Sequence, residues 1–282
     1  MALHKDEAIV LFKKAYGESD KIVRLFTVSS GKIAAIAKGG NRSQKRFANT
    51  LEPFNHIRVE YFEKSGKGMV RIENADVVET NNGIEKSLSR ACTAGFFVEF
   101  VDKLTKERER HDELFYALKD VLNKIKRIEL SYPDILYHQL KMLETLGFLP
   151  NFYTCVYCGK IVPDEKKMYF SKEKGGILCV SCARFLSHKA YGEGVIQRLA
   201  GMRNLNNGYE LRVTTYESFF NGKKDMGSNS LVKEETVRFS GQQNPENNRM
   251  FERDAQDIME GFISFHLDVE FKSYRILKGI IK

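Results

Sequence analysis

The chain has 282 residues, 42% of them hydrophobic, enough for about two or three small domains with real cores. Its formal charge of +8 points to an anionic partner, with nucleic acid first and a membrane surface second. No apolar run approaches the length that crosses a bilayer, and the first residues hold no apolar leader segment, so membrane-spanning and exported classes are set aside and a reducing cytoplasm is expected.

Residues 7 to about 79 read as β structure. Short runs rich in β-branched and aromatic residues (Glu7 to Phe12, Lys21 to Val28, Lys32 to Lys38, Phe54 to Glu63, Met69 to Val78) are separated by turn signals at 16–20, 29–31, 39–41 and 64–68. Five short strands in this span suit a small barrel, an OB-fold first and an SH3-like barrel next. The segment Lys38-Gly39-Gly40-Asn41-Arg42-Ser43-Gln44-Lys45-Arg46-Phe47 holds four cations and no acid. Its glycines let backbone approach a polyanion and its cations neutralise phosphates, against the plainer reading of a solvated loop. Lys13, Lys14, Lys21 and Arg24 extend this basic surface, and Phe47, Tyr61 and Phe62 are candidate stacking partners for bases. Strand alternation allows only one of Tyr61 and Phe62 to face outward.

From 84 to 149 the apolar period turns helical. One helix is expected over Ile84 to Thr105, with Leu88, Cys92, Gly95, Phe96, Glu99, Phe100 and Leu104 inward, Glu99 being a charged intrusion. A second runs over Asp112 to Arg127, with Leu114, Phe115, Leu118, Val121, Leu122 and Ile125 inward. A third starts near Pro133 and stops at Gly147, with Ile135, Leu136, Leu140, Leu143 and Leu146 inward.

Cys155-Val156-Tyr157-Cys158 and Cys179-Val180-Ser181-Cys182 follow, spaced C-x2-C-x20-C-x2-C. Each pair puts two thiolates on one backbone knuckle, and two facing knuckles supply the four sulfurs of a closed structural zinc site. Gly159 suits the knuckle, and Gly175 and Gly176 can turn the chain back. Another thiolate metal, two disulfides or a dithiol redox pair are the alternatives. Cys92 reads as a small buried hydrophobe. Lys160, Lys166, Lys167, Lys172 and Lys174 crowd the module. They either offset the formal charge of about −2 on a four-thiolate zinc or track phosphates.

Helical signal returns at Val195 to Met202. Residues 203–248 read as an irregular polar insertion with strand-like pieces at 209–216 and 231–239, and a last helix spans 249–267, with Phe251, Ile258, Phe262 and Phe265 apolar, before a basic tail over 272–278. An enzyme reading finds little support. His111-Asp112-Glu113 offers the H-x-E of a zinc deaminase, but Thr154 rather than proline precedes Cys155, and the second cysteine pair fills the position that must stay open. No P-loop and no G-x-S-x-G elbow is present.

Taken in order, these residues resemble the bacterial RecO family of recombination mediators. The similarity is carried by Ala8-Ile9-Val10-Leu11, the stretch Tyr16 to Thr27, Gly31 to Gly39, Leu51-Glu52-Pro53-Phe54, Ala75 to Glu79, Leu146-Gly147-Phe148-Leu149-Pro150, the cysteine pairs, Gly261 to Leu267 and Tyr274-Arg275-Ile276-Leu277. The expected fold is α+β and multidomain: a five-stranded OB-fold barrel over 1–80, a helical bundle domain over 81–150 that resumes at 191–282, and a four-cysteine zinc module over 151–190. The resemblance implies a non-enzymatic protein that binds single- and double-stranded DNA, anneals complementary strands and helps load RecA onto strands coated by single-strand-binding protein. It implies partnership with RecR and with the C-terminal tail of single-strand-binding protein, at the nucleoid in the cytoplasm. It places DNA contacts on Lys38, Arg42, Lys45, Arg46, Lys21 and Arg24, and structural zinc on Cys155, Cys158, Cys179 and Cys182. The helical domain is the natural place for the acidic tail, with Lys103, Lys106, Arg108 or Arg110 as a basic rim. The 203–248 insertion is longer and more polar than the family pattern. An RNA-binding OB and zinc-knuckle protein is the alternative, and a zinc hydrolase or deaminase a further one.

Overall fold

Five strands, β1 (Ala2–Tyr16), β2 (Asp20–Thr27), β3 (Gly31–Ala37), β4 (His56–Glu63) and β5 (Val70–Glu79), close into a barrel in the order β1-β2-β3-β5-β4. The computed structural model describes residues 2–43, 46–63, 68–162, 167–192, 194–204 and 245–280; Lys45, Lys166, the turn residues 64–67 and the insertion's strand-like pieces lie outside the described residues. All barrel neighbours are antiparallel except β3 and β5, which run parallel, as an OB barrel requires. Alternation fills the interior with Ala8, Val10, Val23, Leu25, Ile33, Ala35, Ile57, Val59, Tyr61, Val70 and Ile72. Ile9, Leu11 and Phe26 point the other way and join a second core built with the helices. β1 outruns its apolar stretch at both ends. Lys5 there pairs with Glu60 on β4 at 2.5 Å, a polar pairing that hydrophobicity does not reveal.

A 3-10 turn (Ile84–Lys86) leads into α1 (Leu88–Leu104), α2 (Asp112–Arg127) and α3 (Tyr132–Thr145). On α2 all six inward residues are buried; Asp112 and Glu113 open the helix, and Lys124, Lys126 and Arg127 close it, complementing its dipole. The H-x-E thus begins a helix. Ser131 and Asp134 form a capping box around Pro133 on α3, and Gly147 ends the segment with φ of 75°.

The one-sided stripe expected for α1 is corrected. Leu88 is exposed, and Thr93, Ala94, Phe96, Phe97, Val98, Phe100 and Val101 are buried. The cause is α7 (Lys272–Ile280), which forms where a basic tail was expected. Tyr274 and Leu277 of α7 are buried, and Phe96 meets Tyr274 at 4.9 Å between ring centroids. Covered on two sides, α1 is apolar around most of its girth. Glu99 is no intrusion: its carboxylate accepts from the amides of Lys272 (3.0 Å) and Ser273 (2.7 Å), capping α7 across the fold. Burial raises the Glu99 carboxyl, but these donors and Lys103 outweigh it and hold it below the usual range. A depressed folded pKa stabilises above the unfolded value and is lost as pH falls through the folded one. Glu99→Gln is expected to cost about 0.5–2 kcal/mol at pH 7. Melting curves of the two proteins should converge as pH drops through the carboxylate range.

The remaining elements are β6 (Lys167–Ser171), β7 (Gly176–Leu178), α4 (Val180–Ala183), β8 (Lys189–Gly192), α5 (Val195–Asn204) and α6 (Pro245–Leu267). A three-stranded sheet in the order β7-β6-β8 carries the cysteine module. Phe251, Ile258 and Phe262 of α6 are buried, but Phe265 is exposed. His266 is held instead, at 2.8 Å from the Lys172 carbonyl. Barrel and helices lock at a seam. Lys32 is buried, and its ammonium donates to the carbonyls of Asp102 and Thr105, the latter at 2.6 Å, while Arg24 pairs with the Asp102 carboxylate.

Candidate metal centre and nucleic-acid interface

The first knuckle is shaped by backbone. The Cys155 amide donates to the Lys160 carbonyl (2.8 Å) and the Gly159 amide to the Cys155 carbonyl (2.8 Å), with Gly159 at φ 74°. The Asn151 side chain braces its approach, accepting from the amides of Tyr153 (3.0 Å) and Thr154 (3.1 Å). The second knuckle grows from β7: Cys179 precedes α4, and Ala183 donates back to the Cys179 carbonyl at 2.9 Å. Gly175, with φ of 72°, turns β6 into β7 as the glycine pair suggested. The knuckles are tied by Val156, whose amide donates to Ile177 (2.9 Å).

The four sulfurs of Cys155, Cys158, Cys179 and Cys182 all lie within 4.8 Å of one another. Tetrahedral zinc with Zn–S bonds of ~2.3 Å spaces its sulfurs about 3.8 Å apart. Cys158 and Cys179 stand at 3.8 Å. Burial raises the Cys155 thiol, but the amides of Cys179, Cys158 and Tyr157 outweigh it and bring it down to about 6. Burial and the three neighbouring sulfurs push Cys182 up to about 12. Four sulfurs at this spacing are a donor set suited to a thiophilic cation. With four protein ligands such a centre keeps no open position, so it braces structure. His111 is no part of it; its imidazole faces Glu109 at 3.6 Å at the head of α2. Cys92 is half-buried in α1 and apart from the cluster.

Residues 38–42 fold onto the β1–β2 turn. Lys38 donates to Asp20 at 2.6 Å, Gly39 donates its amide to the same carboxylate at 2.9 Å, and Arg46 donates to the Lys38 carbonyl at 2.9 Å. Lys38 and then Gly39 hold the Asp20 carboxyl below the usual range. Arg42 reaches exposed Glu18 at 3.4 Å. Lys38, Arg42 and Arg46 therefore share one exposed edge, and Lys21 lies beside it, with its Cβ facing Gly40. Lys45 is outside the described residues. Arg24 is drawn to the helical seam by Asp102, with its guanidinium 5.9 Å from the Phe12 ring.

The stacking candidates need correction. Phe47 and Tyr61 are fully buried in the barrel, and the Tyr61 hydroxyl is 3.0 Å from that of Ser30. Phe62 faces outward, with Arg71 at 5.4 Å over its ring. The register shows what single residues did not. Lys14 pairs with Ile22, Ile22 with Ile36, Ile36 with Arg71, and Arg71 with Phe62, so one outward row crosses all five strands. Phe12 (45% exposed) and Tyr16 (53% exposed) flank this row on β1. A β-bulge between Val10 and Phe12 puts them there; unbroken alternation from Ala8 and Val10 would have sent both inside. The middle of the row, Ile22 and Ile36, lies beside the loop that leaves β3 at Lys38, so an apolar and aromatic band is edged by cations. Such a surface offers π-faces to bases and charge to phosphates.

Comparison with known proteins follows the same two-part division. The family model described as "Recombination protein O N terminal" matches residues 1–81, and "Recombination protein O C terminal" matches 85–216. The chain is 30% identical to the DNA repair protein RecO of Thermoanaerobacter sp. over 282 residues, 99% of each chain. It is 33% identical to that of Caldanaerobacter subterraneus subsp. tengcongensis over 196 residues, 67% of this chain and 77% of the relative. It is 35% identical to that of Myxococcus xanthus over 182 residues, 64% of this chain and 73% of the relative. Among the described residues no helix is long and apolar enough to cross a membrane.

Proposed function

The chain belongs to the RecO family, a family of DNA repair and recombination proteins, and from that premise we propose that it binds single- and double-stranded DNA on its barrel and anneals complementary strands without nucleotide hydrolysis. The observation that carries this reading is the outward row Lys14, Ile22, Ile36, Arg71 and Phe62. Unpaired bases lie on its apolar and aromatic members, and phosphates meet Lys14 and Arg71 with Lys38, Arg42, Arg46 and Lys21 at the edge; Lys45 joins them as the fourth cation of the 38–47 sequence. Neutralised phosphates let a second strand approach, so pairing proceeds on charge and proximity alone. Arg24 contributes least in this reading, because Asp102 draws it onto α1, whereas the pairs Lys38–Asp20 and Arg71–Glu73 stay on the barrel surface.

The cysteine cluster holds structural zinc in this proposal. The divisions 1–80, 81–150, 151–190 and 191–282 are taken as barrel, helices, module and returning helices. Family membership supports RecR and the tail of single-strand-binding protein as partners, RecA loading as the outcome, and the nucleoid as the place of action.

The test is a salt series. If Lys38, Arg42, Lys45 and Arg46 each neutralise a phosphate, changing all four to Ala flattens the slope of log K against log salt by about 3 for single strands. Lys14→Ala with Arg71→Ala should flatten it by about 1.4. Fluorescence anisotropy of a labelled oligonucleotide reads both. Unchanged slopes in both variants would reject the barrel surface.

A further inference from the structure

We infer that the tips of the two cysteine knuckles form a second contact for unpaired nucleotides, with Tyr157 and Phe185 as stacking platforms and Lys160 and Arg184 as phosphate contacts. Tyr157 sits inside the first cysteine pair and is 64% exposed; Phe185 follows the second pair and is 83% exposed. Neither position is loose. The Phe185 amide donates to the Cys182 carbonyl at 3.1 Å, and the first knuckle closes on the Cys155–Gly159 bond of 2.8 Å. Sulfurs within 4.8 Å of one another bring the loops together, so both rings stand on one rigid bracket. Val180 and Ile161 add exposed apolar surface.

Charge selects the occupant. Residues 151–192 carry seven lysines and arginines against three acids, Asp164, Glu165 and Glu173, and the knuckle stretches 151–162 and 176–192 hold Lys160, Arg184, Lys189 and His188 with no acid of their own. Lys189 is engaged by Asp257 at 2.9 Å, whereas Lys160 and Arg184 are exposed. A thiolate-bound dication carries a formal charge of about −2 at the base of the bracket. Cations at the rim offset that charge and remain the groups an incoming phosphate meets. Rigid exposed aromatics beside an excess of cations suit a single strand, whose bases each have a π-face, better than an acidic or apolar protein segment. The barrel packs on α2, where Phe26 meets Phe115 at 6.1 Å, while the module packs on α6, where an added Cβ at Gly175 would lie 3.1 Å from the Phe262 ring. The two contacts are therefore separate places on one body, able to hold two stretches of strand at once.

The inference rests on the DNA-binding reading, and the experiment separates the two. The chain has no tryptophan, so Phe185→Trp gives a single reporter. Titrating it with a thymidine oligonucleotide should quench that emission in step with anisotropy. Tyr157→Ala with Phe185→Ala should keep its zinc, lose about tenfold or more in single-strand affinity, and leave the salt slope unchanged, because stacking releases no counterions. An emission unmoved at DNA concentrations that saturate the anisotropy signal overturns the inference while the barrel reading stands. In that case the exposed rings serve a protein partner. Quenching that persists in the Lys14→Ala, Arg71→Ala protein, with its slope unchanged from wild type, upholds the knuckle contact and counts against the barrel row. If the intact chain binds no oligonucleotide even in dilute salt, both readings fall.

Discussion

Cys155→Ser is expected to abolish stoichiometric zinc and to unfold the module while leaving the barrel folded. Cys155 is buried, its amide anchors the first knuckle, and its sulfur lies within 4.8 Å of the other three. A serine there replaces a thiolate ligand with a hydroxyl that has no partner once the metal leaves. Structural zinc contributes on the order of 10–16 kcal/mol in isolated finger peptides, and the short strands β6, β7 and β8 cannot bury a core of their own. The barrel is spared because its interior, from Ala8 to Ala75, is a separate core to which no residue of the module belongs. Zinc released by a mercurial and counted with a chromophoric chelator should fall from about one per chain to near zero. Limited trypsin should then cut the lysine-rich stretch around Lys167 to Lys174. Cys92→Ser is the matched control: it is half-buried and outside the cluster, so zinc content should not change. Full zinc occupancy in Cys155→Ser would remove the metal assignment.

The cysteine site was legible in the sequence because its logic is local. Two C-x2-C pairs declare four ligands wherever the intervening chain runs, and the structure had only to bring the knuckles together. The barrel was legible because alternating apolar residues and turn signals repeat along 7–79. What the sequence hid is two-dimensional. The row from Lys14 to Phe62 exists only once five strands are placed in register, and its members lie up to 57 residues apart in the chain. One extra residue at the β1 bulge reverses Phe12 and Tyr16, so composition favoured Phe47 and Tyr61, which the interior uses. Helical period misplaced the inward face of α1 for a related reason. A stripe assumes one covering partner, and α7 supplies a second from a segment that reads as a basic tail. Glu99 carries the trace of that contact, a lone acid amid apolar residues waiting for amides from 173 and 174 positions away.

Gly31→Ala is expected to cost about 3 kcal/mol or more and to loosen the barrel from the helices, because two penalties coincide there. Gly31 has φ of 64°, a conformation in which a side chain costs about 1 kcal/mol by itself. A Cβ would also fall 1.9 Å from the Glu109 carbonyl oxygen and 2.5 Å from its carbon. Both are backbone atoms, so relief requires moving the 105–110 segment. That movement breaks the Arg108 amide to Lys32 carbonyl bond at 3.0 Å and draws the buried Lys32 ammonium away from the carbonyls of Asp102 and Thr105. A buried cation without acceptors adds its own cost. Gly17→Ala isolates the two effects, since Gly17 has φ of 59° but open space around it. It should lose only the conformational part, about 1 kcal/mol. Thermal melts should place Gly31→Ala several degrees below Gly17→Ala, and amide exchange should rise at Arg108 and Thr105 in the former alone. Equal melting points for the two variants would mean that the barrel and the 105–110 segment do not press together. Lys14 and Arg71 take no part in the seam contacts of Arg24, Lys32 and Arg108, so the salt slope for single strands should survive both substitutions.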